Sequence, residues 1–259
     1  MNQAVSAPLF AVSLLVGMLL LLEAGRRLGV WRISRDPAAA EAGLGTVEGA
    51  VFALFGLLVA FTFSGAGERF NSRRLLIAEE ANDIGTAYLR LDLLPEAAQP
   101  VLRAEFRDYL SSRLEAYRRM PDLAAVKAEL ARSEELQRAI WSGAVTATRL
   151  EGAHPDAAKL LLPALNAMID ITTTRTMAAR IHPPRIIYAL LFVLALGCAL
   201  MAGYGMAARR ERSWLHILGF VVTAVIAIYV ILDLEYPRRG LFRIDAYDQV
   251  LVELLESMN

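Results

Sequence analysis

One cysteine, Cys198, in 259 residues excludes an intrachain disulfide framework and any Cys-x-x-Cys redox or metal pair. Its expected role is that of a small buried apolar residue. Histidine is nearly as scarce. His154, His182 and His216 are too scattered to form a His-x-x-x-His metal pair. Two of them adjoin proline, where capping or packing is the expected role, and His216 opens an apolar run. No glycine-rich loop precedes a lysine, so nothing cradles a phosphate. Lysine itself is reduced to Lys127 and Lys159, and every other base is arginine, as in GC-rich bacterial codon usage. Formal net charge is zero, which leaves no basic surplus for nucleic acid. These absences argue against an enzyme, a metal site, a cofactor and a nucleic-acid partner.

A further absence is local. Four stretches contain no Asp, Glu, Lys or Arg: Met1 to Leu22, Gly49 to Gly67, Ile186 to Ala208 and Ser213 to Leu232. About 20 apolar residues cross a bilayer core as a helix. The chain is also 56% hydrophobic with mean hydropathy +0.42, more apolar than an ordinary soluble domain. The expectation is a multi-pass protein of the bacterial inner membrane with the lipid bilayer as its first partner. The first run has no basic residue before its apolar core, so it reads as a retained span rather than a cleaved signal.

The expected class is all-α, with four transmembrane helices and a helical insert between the second and third. The expected boundaries are span one over 1–24, span two over 46–67, the extramembrane domain over 68–183, span three over 185–208, span four over 213–234 and a tail over 235–259. Within the insert, apolar spacing predicts a helix from Glu68 that stops at Pro95 and a second over about Glu96 to Met120. Pro121-Asp122 starts a third, with acid in its first turn, and His154-Pro155-Asp156 starts a fourth that ends near Ile181.

The short loops carry Arg26, Arg27, Arg32 and Arg35 in one case and Arg209, Arg210 and Arg212 in the other, each with a nearby tryptophan (Trp31, Trp214). An even number of spans puts these loops on one side, and both termini and the insert on the other. Counted over short loops, the arginines face the cytoplasm.

Span two carries three kinds of face. At about 100° per residue, Gly45, Gly49, Ala53, Gly56, Ala60, Ser64 and Gly67 form one stripe of small residues, suited to close helix packing. Beside it lie Phe52, Phe55, Val59 and Phe63, with Glu48 at the start of that face and Phe70 beyond it. Leu54, Leu57, Leu58 and Phe61 lie opposite. The aromatic face either lines a hydrophobic constriction, which gates by dewetting, or packs against other helices of the same subunit. Arg73 and Arg74, followed by Glu79, Glu80 and Asp83, form either ion pairs on a solvated face or a charged vestibule. Asp233 and Glu235 are expected to pair with Arg238 and Arg239. The run Thr172-Thr173-Thr174, with Thr176, either bonds a neighbouring subunit or faces water.

The run FTFSGAGERFNSRRLLIAEEANDIGTAYLRLDLLP, Phe61 to Pro95, resembles the signature of the bacterial bestrophin-like membrane domain family. His182-Pro183-Pro184 before span three and Gly203-Tyr204 near its end are similar too. Bestrophins are pentameric anion channels whose second transmembrane helix lines the pore, with hydrophobic rings at the neck and a helical vestibule beyond. The resemblance therefore implies a homo-oligomeric, pentameric channel for inorganic ions, anions by that analogy. Phe52, Phe55, Val59 and Phe63 would be its neck, and Glu48, Phe70, Arg73 and Arg74 its mouth or vestibule. It also implies a cytoplasmic insert, opposite to the arginine-loop reading. The alternative function is a non-conducting scaffold or sensor that acts through the insert.

Overall fold

The computed structural model describes residues 6–36, 45–120, 122–208, 214–238 and 240–258. Eight α-helices follow one another: α1 Ser6–Arg35, α2 Gly45–Leu89, α3 Gln99–Arg118, α4 Leu123–Ala147, α5 Ala157–Arg180, α6 Arg185–Gly205, α7 Trp214–Glu235 and α8 Gln249–Ser257. Short 3-10 turns cover Arg90–Leu93, Met206–Ala208 and Asp245–Asp248. No strand occurs among the described residues. Four helical stretches are long and apolar enough to cross a membrane. The protein is all-α with four spans.

The chain divides into two compact units, Met1–Glu68 with His182–Tyr236, and Arg69–Ile181 with Pro237–Asn259. Helix α2 contributes to both. Nothing interrupts it at the boundary: FSGAGERFNSRR contains no proline, and Gly65 and Gly67 are tolerated inside a helix at a cost of about 1 kcal/mol each relative to alanine.

In the membrane unit, α1, α6 and α7 pack around a core that includes Leu14, Met18, Leu191, Cys198, Val221 and Ile228. The lipid environment gives apolar side chains little reason to prefer a neighbour helix, so close backbone approach matters more. It occurs where α1 meets α6. A Cβ added at Gly25 would sit 2.0 Å from the Leu200 carbonyl oxygen, and one at Gly203 would sit 1.9 Å from that of Leu22. At Gly29 it would lie 2.4 Å from the Ala207 Cβ. The loop expected to start at Gly25 is helical instead, as α1 continues to Arg35. Its glycines are packing positions rather than breaks. At its end the Arg35 guanidinium lies over the Trp31 ring, 4.2 Å from the centroid. The arginines of the second short loop, Arg209, Arg210 and Arg212, lie outside the described residues.

The extramembrane unit is a helical bundle with a conventional apolar core: Ile77, Ile84, Phe106, Ile140, Leu161 and Met168 are buried side by side. Burying one such side chain is worth roughly 1.5–3 kcal/mol. Asp122 caps α4 rather than sitting in its first turn, and its carboxylate accepts from the Ala124 and Ala125 amides at 3.0 and 3.2 Å. The residue before it, Pro121, lies outside the described residues. At the start of α5 the cap is shared differently: His154 Nδ1 accepts from the Asp156 amide at 3.2 Å, and the Asp156 side chain makes no cap bond. Helix α3 begins at Gln99, three residues later than its expected start, with proline in its first turn.

The tail belongs to this unit. Leu251 of α8 and Met258 lie in its core, and the Met258 carbonyl accepts from Tyr88 Oη at 3.1 Å and from Arg107 at 3.2 Å. The insert and the described part of the tail therefore share one compact body.

Candidate functional site

Helix α2 shows two sides within the membrane unit. One side is engaged. Phe55 is buried in the core, Val59 packs against it, and Phe52 meets Phe220 edge to face with centroids 5.5 Å apart. The other side is open. Gly45, Gly49, Ala53, Gly56, Ala60 and Ser64 are exposed, Gly67 is half-buried, and an added Cβ at Gly45, Gly49, Gly56 or Gly67 would meet nothing within 4 Å. Phe63, 49% exposed, shares this open side. Of the four aromatic-face residues, three thus already serve packing within the chain and one does not. The distinction follows from helical angle: Phe63 falls within the small-residue stripe, and Phe55 falls toward the other helices.

Glu48 is half-buried and reaches α6, its Oε2 3.1 Å from where a Gly205 Cβ would stand. A larger residue at 205 would crowd the carboxylate.

In the extramembrane unit, the residues expected at a pore mouth are turned inward. Phe70 packs against the core. Arg73 is buried and closes the end of α5: its Nε donates to the Ala178 carbonyl at 3.1 Å and its Nη2 to that of Ile181 at 3.0 Å. Terminal carbonyls of a helix lack intrahelical donors and carry partial negative charge, so a guanidinium suits them. Arg74 lies over the Tyr247 ring at 4.1 Å. Both arginines thus have partners inside this unit. The Thr172, Thr174 and Thr176 hydroxyls donate to carbonyls of their own helix, at 2.7, 3.3 and 2.8 Å, a local choice common to threonine in helices.

The acidic residues that follow Arg73 divide the same way. Glu79 is exposed, and Glu80 is fully buried. The Glu80 carboxylate accepts from Arg113 Nε at 2.7 Å, from Tyr117 Oη at 3.1 Å and from Arg175. Arg175 and Arg238 lie over the Tyr117 ring at 4.2 and 4.7 Å. Arg238 in turn binds Asp248 at 2.8 and 3.0 Å and Asp245 at 3.1 Å. Burial, opposed by Arg113, pushes the Tyr117 phenol up to about 12. Burial, with Arg238 acting the same way, pulls Arg175 down to about 9. This hub joins α2, α3, α5 and the tail. Sequence spacing did not reveal it, because its partners come from four separate segments.

Glu235 has a partner that nearness in sequence did not suggest. Its fully buried carboxylate lies 2.9 Å from His182 Nδ1, and the His182 ring rests on Tyr236 at 4.7 Å. Arg239 lies outside the described residues. Among the described residues no group of His, Cys, Asp and Glu is placed to hold a metal ion.

The architecture and the match to known families agree. The model of the bestrophin-like domain matches residues 7–247. The chain belongs to the bestrophin-like family. Among solved structures it is similar to a tryptophan-to-alanine variant of a bacterial bestrophin homologue from Klebsiella pneumoniae, with a TM-score of 0.72 at 13% identity over 96% of this chain and 97% of that one. A tyrosine-to-alanine variant of the Klebsiella homologue gives 0.71 at 12% identity, over 93% and 97%. At such identity the likeness concerns the fold. No curated protein matches the chain.

Proposed function

We propose that this bestrophin-like protein is one subunit of a homo-oligomeric ion channel in a bacterial inner membrane, pentameric by analogy with the bestrophins, and that α2 lines its pore. The observation that supports this reading is the open side of α2: a stripe of small residues with Phe63 on it, unfilled by any helix of the same chain. Lipid alone does not require a helix to present glycine, whereas a neighbouring backbone does.

We narrow the hydrophobic neck to Phe63. Phe52, Phe55 and Val59 form the wall behind it, since their side chains are held within the subunit. An ion crossing an apolar ring loses hydration without replacement, which makes the ring a barrier. Phe63→Ala should raise ion flux into liposomes several-fold. Leu54→Ala, on the opposite face and 54% exposed, should leave it unchanged. Flux unaltered by Phe63→Ala in a conducting protein removes Phe63 from the gate. A purified monomer without flux in either form replaces the channel by the scaffold or sensor reading.

A further inference from the structure

Immediately after α7 the chain makes a closed loop. The Ile244 amide donates to the Pro237 carbonyl at 3.1 Å, and Arg238, at the base, is pinned by Asp245 and Asp248. Pro237 is two residues past Glu235, the last residue of a membrane-spanning helix. At no more than about 3.6 Å per residue, the loop tip cannot stand more than about 14 Å from Pro237. That tip carries two adjacent large apolar side chains, Leu241 at 77% exposure and Phe242 at 46%. Beside them Arg243 is 60% exposed and paired with Asp245.

Single exposed apolar residues need no explanation. Two neighbours at the tip of a pinned loop, tethered this close to a span, do. We propose that Leu241 and Phe242 insert into the headgroup and acyl-chain boundary of the bilayer that α7 crosses, with Arg243 at the phosphate level. Aromatic and aliphatic side chains gain on entering that zone, and an arginine stem lies along it while its head stays hydrated. The loop then meets lipid within a few residues of the span. It requires only that the chain span a membrane, not that it conduct, so its failure and that of the channel reading are separable.

Nitroxide labels test this in the full chain, in a Cys198→Ala background reconstituted into phosphatidylcholine and phosphatidylglycerol liposomes. One sample carries Leu241→Cys, a second Phe242→Cys, and a third Leu150→Cys, which lies 49% exposed beside the turn that His154 pins to the Leu93 carbonyl. Collision with oxygen relative to an aqueous nickel chelate should be several-fold greater at 241 and 242 than at 150. Equal ratios at all three positions overturn the proposal in favour of water. Exclusion of both relaxants from 241 and 242 overturns it in favour of contact with another protein surface. Using both tip positions guards against a label that distorts the loop.

Discussion

Where α1 crosses α6 in the membrane unit, the closest approach is made by glycine. Where α2 meets α3 and α5 in the extramembrane unit, the contact is made by a buried carboxylate between arginines. The two solutions reflect two solvents. In lipid, apolar burial does little to bring helices together, and dispersion between backbones at close range takes over, which needs the absence of a Cβ. In water, apolar burial already holds the bundle, as the cluster around Phe106 and Ile140 shows. A charged hub adds little net stability there, because desolvation offsets attraction. What it adds is discrimination: a shifted α5 would leave Arg175 or Glu80 buried without its partner.

The largest expected effects probe the glycine crossing. Gly203→Leu places a side chain where a Leu22 carbonyl stands, and neither backbone can rotate away. No monodisperse protein should be recovered from membranes. Gly56→Leu meets open space within the chain and should leave the fold intact while lowering the share of oligomer, read by gel filtration with light scattering. Equal recovery of both variants would erase the distinction between the two glycine sets.

Next in size is the charged hub. Glu80→Gln removes the one carboxylate that bonds both Arg113 and Arg175 in a buried site, a defect of about 3–5 kcal/mol. The full-length protein in detergent should show a thermal transition well below that of the parent. Glu80→Leu combined with Arg113→Met and Arg175→Met should recover most of the loss. Failure of the triple variant to recover would mean that the hub supplies stability rather than discrimination.

Much of this architecture was legible in the residues. Charge-free runs mark membrane helices because a bilayer excludes charge over a fixed thickness, and Pro95, Asp122 and His182-Pro183-Pro184 bracket insert helices because proline and capping act locally. The open side of α2 was visible as a stripe. Less legible was which phenylalanine is engaged. Phe55 and Phe63 stand about 80° apart around α2, but which of those directions is covered depends on where the neighbouring helices lie, and that leaves Phe55 buried and Phe63 49% exposed. The partners of Glu80 and Glu235 were hidden for a related reason. Arg238 stands three residues from Glu235 yet turns to Asp245 and Asp248, while Glu235 meets His182, 53 positions away. Nearness in sequence selects pairs along a helix, and these chain segments are not continuous helix.

The smallest effect reverses the sign of the Glu80 result with a similar substitution. Glu105 on α3 also has a buried oxygen, Oε2, but no hydrogen-bond partner for it. Burial, and then repulsion from Asp108, raises its pKa above the ordinary carboxylate value. The folded state therefore holds the proton more tightly than the unfolded one, and stability falls as pH rises through the carboxylate range. At neutral pH the charge is a small cost that glutamine would remove. Glu105→Gln should raise the thermal midpoint slightly at pH 7. The gain should vanish near pH 4, where folded Glu105 is already largely protonated. A gain of equal size at both pH values would assign it to packing against α4 rather than to charge. A loss at pH 7 would mean that Glu105, like Glu80, has a partner that the fold depends on.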